Sequence, residues 1–226
     1  MSEKFTLINN DCMNVSLPKC KLLLTDIPYN GCNKASNGLR TIDKGKADLI
    51  NFEIQPFLEH IYNCFDICVI FCGHGQFSEI FTYFNEKQLK GKGTTRQLIW
   101  AKSNPSPMNG EYIYLSGTEN AVWFKKKGTG KLNCRCKTNV FTFPNGSSKF
   151  HPTEKNHKLL ADIILDNTDI GDLVVDTCTG SGSTGIVALK NDRNFFGTEI
   201  DKGYYKVSND RLEKTIKEKG PKGFFK

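Results

Sequence analysis

No apolar run in this sequence approaches the ~20 residues that cross a bilayer; the longest, such as residues 67–72 and 173–175, fall far short. The first fifteen residues, MSEKFTLINNDCMNV, are too polar for a secretory leader. There is no internal repeat and no low-complexity tract. Cys134-Arg-Cys136 resembles half of a zinc site, but a second pair at finger-like spacing is missing. The one strong glycine loop has no lysine where a triphosphate loop needs it, and it does not complete G-x-G-x-x-G. These absences point to a cytoplasmic globular chain with reduced thiols, no metal centre and no membrane partner.

What is present is a chain of 226 residues, the size of one domain, with ordinary apolar (38%) and charged (24%) fractions. Thirty-one Lys and Arg against twenty-four Asp and Glu leave a net charge of +7, enough to attract a polyanion. Basic residues gather at Lys125, Lys126 and Lys127, with Lys131, Arg135 and Lys137 close behind. Nine cysteines are scattered through the chain, and Cys64, Cys68 and Cys72 straddle an apolar run, where free cysteine acts as a small hydrophobe.

The pattern alternates. Residues 5–8 and 21–25 read as strands, 50–65 as a helix with one apolar face, and 68–72 as a strand. Residues 78–84 read as a helix, and 97–101 and 121–125 as strands. A helix over 154–166, a strand over 172–176, a helix over 183–191, a strand over 195–199 and a helix from Tyr204 complete the series. This argues an α/β fold with a doubly wound, mostly parallel sheet. Residues 31–48 read as a mobile loop, and the basic, turn-rich segment 126–149 as a surface appendage.

Residues 172–189, DLVVDTCTGSGSTGIVAL, form a buried strand followed by Gly180, Ser181 and Gly182 and then a helix start. Glycines there let backbone N–H groups approach a ligand, and a helix N-terminus favours acceptors. Glu199 ends the next strand, near the ~20-residue offset at which an acid meets a ribose hydroxyl. The combination suits an adenosine-containing ligand. Residues 22–31, LLLTDIPYNG, end a second strand on Asp26. Pro28 holds Ile27 extended, which sets the carbonyl of residue 27 beside the Asp26 carboxylate. Those two acceptors suit the two N–H donors of a nucleobase amino group, with the ring stacked on Tyr29.

With these motifs in view, the sequence resembles the beta-class DNA amino-methyltransferases. TDIPY resembles their catalytic Asp-Pro-Pro-Tyr, HPTEK at residues 151–155 their His-Pro-Thr-Glu-Lys segment, and DTCTGSGST their cofactor loop, in the motif order of the beta class. LIWAKSNPSP and Glu119 resemble weaker supporting segments. The resemblance implies a Rossmann-like doubly wound sheet in a single domain over 1–226, with 126–149 as a short target-recognition insertion. It implies methyl transfer from S-adenosylmethionine to the N6 amino group of a flipped-out adenine in double-stranded DNA, and a homodimer. Asp26, Ile27, Pro28 and Tyr29 would form the catalytic motif. Asp11, Asp26, Thr153, Lys155, Asp176, Thr177, Gly180, Ser181, Gly182, Ser183, Thr184 and Glu199 would meet the cofactor, Asp11 at its adenine. Arg40, Lys125, Lys126, Lys127, Lys131, Arg135 and Lys137 would contact DNA phosphates, with the loop 33–46 closing over the base. Two positions depart from the family pattern: Ile27 replaces its first proline, and Asn156 stands where it carries a proline after the lysine. The alternatives are a cytosine-N4 enzyme and a catalytically idle DNA-binding subunit.

Overall fold

A computed structural model describes residues 4–29, 52–105, 110–145 and 154–219. The expected loop at 31–48, with Arg40, lies outside these residues, as does Thr153. Eight strands form one sheet: β1 (Phe5–Ile8), β2 (Cys20–Asp26), β3 (Phe65–Cys72), β4 (Gly93–Lys102), β5 (Thr118–Lys126), β6 (Val140–Phe143), β7 (Leu173–Asp176) and β8 (Asn194–Thr198). Five helices accompany them: α1 (Ile54–Ile61), α2 (His74–Leu89), α3 (His157–Asn167), α4 (Ser183–Lys190) and α5 (Lys202–Lys219). The strand order is β1-β8-β7-β2-β3-β5-β4-β6. Among the described residues, only the pairings of β5 with β3 and with β4 are antiparallel. The mostly parallel sheet expected from the alternation is present.

The three leucines before Asp26 show why both sheet faces are covered. Successive strand side chains point to opposite faces. Leu22 and Leu24 join one apolar cluster with α3, α4 and α5, while Leu23 joins another with α1 and α2. Adjacent β3 divides in the same way: Ile67, Val69 and Phe71 face the first cluster, and Cys68, Ile70 and Cys72 the second. A strand buried on both faces reads as a continuous apolar run rather than an alternation. Cys12, Cys20, Cys64, Cys68 and Cys72 are all packed as small apolar groups in the second cluster.

Two helix starts differ from the sequence reading for a local reason. Helix α3 starts at His157 rather than at residue 154, because Asn156 is its N-cap: its side-chain oxygen accepts from the N–H groups of Lys158 (2.9 Å) and Leu159 (3.3 Å). The polar residue in place of a proline thus satisfies two helix-end donors. Helix α5 starts at Lys202, where Asp201 Oδ1 accepts from the N–H groups of Gly203 (2.7 Å) and Tyr204 (3.0 Å). Segment 126–149 is more than a surface appendage. It contains β6, which extends the sheet beside β4, and it packs Leu132, Phe141 and Phe143 against the first apolar cluster.

A candidate active site at the sheet's carboxyl edge

Strands β2 and β7 are parallel neighbours, and the helices that follow them in the chain, α1 after β2 and α4 after β7, pack on opposite faces of the sheet. Such a switch point opens a crevice at the carboxyl ends of the strands. A cavity of about 560 Å³ lies there, within the usual range of small-ligand sites. Four acids reach it from four strand ends: Asp11 beyond β1, Asp26 on β2, Asp176 on β7 and Glu199 beyond β8.

One wall is the glycine loop. Asp176 Oδ1 accepts from the Thr25 hydroxyl at 2.9 Å and from the Cys178 N–H at 3.1 Å. The loop then turns through two left-handed residues, Gly180 at φ +53° and Gly182 at φ +89°. A Cβ on Gly182 would also come within 3.1 Å of the Ser208 Cβ, so the position favours glycine on both counts. The Gly180 N–H donates to Glu199 Oε2 at 2.7 Å, and the Asp201 N–H to Glu199 Oε1 at 2.9 Å. Burial raises Asp176 to about 6 and Glu199 to about 7, outweighing the backbone donors that stabilise each carboxylate.

The other wall carries the Asp26 motif. Tyr29 Oη donates to Asp26 Oδ1 at 2.8 Å, and Lys155 Nζ donates to Asp26 Oδ2 at 2.5 Å. Lys155 also lies 3.0 Å from Glu119 Oε2, and Lys102 Nζ lies 2.8 Å from Glu119 Oε1. Two lysines and two carboxylates therefore alternate along the wall. Burial alone would raise Glu119, but Lys155 and Lys102 outweigh it and hold the carboxyl at about 2. Asp26 stands above the ordinary aspartate value because burial outweighs its lysine. Lys155, although buried, is raised by the two carboxylates and stays an ammonium.

The backbone of the motif is fixed from behind. Gln76 on α2 donates to the Pro28 carbonyl at 2.9 Å and accepts from the Gly73 N–H at 2.9 Å. The Ile27 N–H donates to the Phe71 carbonyl at 3.2 Å, a bond that proline could not make, and the Ile27 side chain is buried in the second apolar cluster.

Of the residues assigned to a ligand from sequence, Asp11, Asp26, Ile27, Pro28, Tyr29, Lys155, Asp176, Thr177, Gly180, Ser181, Ser183, Thr184 and Glu199 all line this one cavity. Gly182 does not; it turns toward α5 instead. Asp11 also caps a short 3-10 turn at Cys12–Asn14, accepting from the Met13 N–H at 2.9 Å. Sequence reasoning missed Glu154, whose buried Oε1 accepts from Arg211 Nη2 (2.8 Å) and the Ser183 hydroxyl (3.0 Å). Arg211 also donates to the Ser181 carbonyl at 2.6 Å, so α5 braces the glycine loop. Phe52, Glu53 and Pro56 around the start of α1 were missed as well and line the cavity. The apolar face of α1 was legible, but no motif marked these three.

The basic cluster stands apart from the cavity. Strand β5 runs antiparallel to β3, pairing Asn120 with Cys72 near the cavity and Lys125 with Ile67 toward the other end. Lys126 is six residues beyond Asn120, roughly 20 Å along the strand. Its ammonium is already committed, donating to the Tyr62 carbonyl at 2.5 Å and lying 4.7 Å from the ring centres of Tyr62 and Phe65. Lys137 is paired with Asp166 (2.8 Å) and Asp162 (3.1 Å) on α3. Lys131 and Arg135 are exposed, but they flank Asn133, which is bonded to the far end of α3. Lys125 and Lys126 stand toward the opposite edge of the sheet because β5 carries them away from the cavity.

A protein family described as DNA methylase matches residues 20–210. The Type II methyltransferase M2.DpnII of Streptococcus pneumoniae is 29% identical over 157 residues, covering 62% of this chain and 58% of that protein. M2.LlaDCHI of Lactococcus lactis subsp. cremoris, also a Type II methyltransferase, is 27% identical over 220 residues, covering 85% of this chain and 82% of that one. The match thus spans under two thirds of the pneumococcal relative's length and most of the lactococcal one. The crystal structure of the M1.HpyAVI-SAM complex superposes with a TM-score of 0.71 at 25% identity, covering 92% of this chain and all of that one.

Proposed function

The chain belongs to the DNA methylase family, and on that premise we propose that it transfers a methyl group from S-adenosylmethionine to the N6 amino group of an adenine flipped out of double-stranded DNA. One observation carries the reading: the Asp26 motif and the glycine loop with Glu199 open into the same cavity.

The residues fit the cofactor. The cavity has the volume of a small-ligand site, the turn at Gly180 and Gly182 brings backbone close to it, and the acids that reach it from the ends of β1, β2, β7 and β8 suit a cationic ligand. Two of those acids, Asp176 and Glu199, have raised values because burial leaves their charge poorly compensated, and a cation relieves that cost. Asp176, Thr177, Gly180, Ser181, Ser183, Thr184 and Glu199 would hold the cofactor, with Asp11 at the β1 end. When bound, the cofactor supplies an electrophilic methyl group on a sulfonium.

The rest falls to the Asp26 wall. With Lys155 donating to one oxygen and Tyr29 to the other, Asp26 would serve as an acceptor. It and the carbonyl of Ile27 would take the two N–H donors of the target amino group. Those bonds turn the nitrogen lone pair toward the methyl carbon and stabilise the positive charge that grows on nitrogen. Tyr29, held by Asp26 and by the Gln76 bond to Pro28, would stack on the extruded base, a contact worth ~1–3 kcal/mol. Lys155 acts on Asp26 and not at the cofactor, a shift from its role in the sequence reading.

The aspartate at position 26 favours adenine, because the cytosine enzymes that the motif resembles often carry a serine there. The family also holds cytosine-N4 enzymes, which makes cytosine the second reading. The test is transfer of a labelled methyl group to unmethylated duplex DNA, followed by nucleoside digestion. N6-methyladenine supports the proposal; N4-methylcytosine keeps the chemistry and replaces the target. Absence of product, from protein that binds S-adenosylmethionine, overturns it in favour of an idle subunit.

A further inference from the structure

Between β4 and β5, residues 110–117 read GEYIYLSG. Here Tyr112 (85%), Ile113 (62%), Tyr114 (102%) and Leu115 (40%) stand exposed one after another. The other large apolar residues exposed among the described residues stand singly, which is ordinary for a surface. Four in sequence, two of them aromatic, is not.

Their place in the fold gives the run a purpose. The Gly117 carbonyl accepts from the Lys102 N–H at 2.8 Å, and the Gly117 N–H donates to the Leu115 carbonyl at 2.8 Å. Lys102 and Glu119, joined by their ion pair, line the cavity. The exposed run therefore springs directly from the rim of the candidate active site, on the side of the Asp26 wall. It carries no Lys or Arg; its only charge is Glu111, which phosphates repel. It is not built to follow a nucleic-acid backbone.

We propose that Tyr112, Ile113, Tyr114 and Leu115 form a wedge that enters the DNA stack at the place vacated by the target base. This rests on the methyl-transfer reading above and names how the duplex would be engaged at that site. A base that enters the cavity has to leave a duplex lying across its mouth, and the gap it leaves is flat and apolar. Apolar side chains inserted between base steps compensate for lost stacking, as in architectural DNA-binding proteins. Planar rings at the rim suit that gap, and the missing cations mean that the run gains nothing from the phosphates on either side. A rival occupant of the same surface is a second copy of this chain.

The experiment uses the full chain and the Tyr112→Ala/Tyr114→Ala variant. Because both side chains are exposed, thermal midpoint and S-adenosylmethionine affinity should match the wild type. Methyl transfer is measured on a duplex carrying the site mapped with the wild-type protein, with the target base either paired or facing an abasic position. The proposal expects kcat/KM to fall about tenfold or more on the paired duplex, the scale of losing one stacked aromatic, and to stay within about threefold of wild type on the abasic one, where extrusion is already easy. Equal rates on both duplexes, or equal losses on both, overturn the wedge while leaving the methyl-transfer reading intact. A variant that sediments as a smaller species than the wild type also overturns it, in favour of a contact between copies. A wild-type protein that transfers no methyl group to any DNA overturns the reading on which the wedge rests.

Discussion

The two ends of the sheet are opposite in charge and in what they do with it. At the carboxyl end, Asp11, Asp26, Asp176 and Glu199 surround one cavity, and burial holds two of them near neutrality in their titration. At the other end are Lys21, Lys125 and Lys126, with Lys127 just beyond the last strand residue. Lys21 is spent on Asp66 at 3.3 Å and the Thr129 carbonyl at 2.8 Å, and Lys126 on Tyr62. A net charge of +7 is a sum over the whole surface, and it conceals an acidic site facing one way and a lysine-rich edge facing the other. The basic edge mostly tethers the fold; the acidic edge lines the candidate active site.

The largest effect should come from the acidic end. Asp26→Ala should cut methyl transfer by about a thousandfold, the scale of losing a preorganised partner of developing charge, while S-adenosylmethionine affinity stays within about threefold in a calorimetric titration. Turnover close to wild type would remove Asp26 from the reaction. Cofactor affinity falling in step with rate would merge the two walls of the cavity into one function.

A middle-sized effect is a pH dependence. Glu199 has a folded value of about 7 against an ordinary 4.5, so the folded chain holds this proton more tightly than the unfolded chain does. Its contribution to stability is complete below about pH 4.5 and is lost as pH rises through 7. Asp176, at about 6 against 3.8, acts in the same sense over a lower window. The cofactor-free protein should therefore gain roughly 1.5–2 kcal/mol of stability between about pH 8 and pH 6, read by urea denaturation. Glu199→Gln should flatten that slope. An unchanged slope in the variant would locate the pH dependence elsewhere.

The smallest effect should come from the basic end. Lys125→Ala/Lys127→Ala should leave DNA affinity within about twofold and leave the dependence of log affinity on log salt unaltered. A slope that drops by about one for each lysine removed would restore the phosphate contacts first read from the sequence.

Much of this was legible in the sequence because it is local. A buried strand followed by Gly180 and Gly182, an acid closing each of several strands, and the Asp26-Ile27-Pro28-Tyr29 turn are all written in consecutive residues. The rest depends on partners far apart in the chain. Lys155 meets Asp26 across 129 positions, and Arg211 meets Glu154 across 57. Neither pairing leaves a mark in the residues beside it. The four-residue β6 was hidden in a turn-rich segment, because a short edge strand gains its identity from the neighbour it pairs with. Lys125, Lys126 and Lys127 were visible as a cluster, but the direction of β5 was not.

The sequence by itself determined which residues end strands, which turns need glycine, and that residues 22–24 face alternately to two apolar layers, since these follow from backbone sterics and a side-chain period of two. Only the tertiary structure decided that the ends of β1, β2, β7 and β8 share one cavity, that Glu119 stays ionised between two lysines while Glu199 rises to about 7, and that the lysine cluster stands at the far edge. Strand order is set by which faces can be buried together, and the charge state of an acid is set by burial and by the charges nearest to it in space.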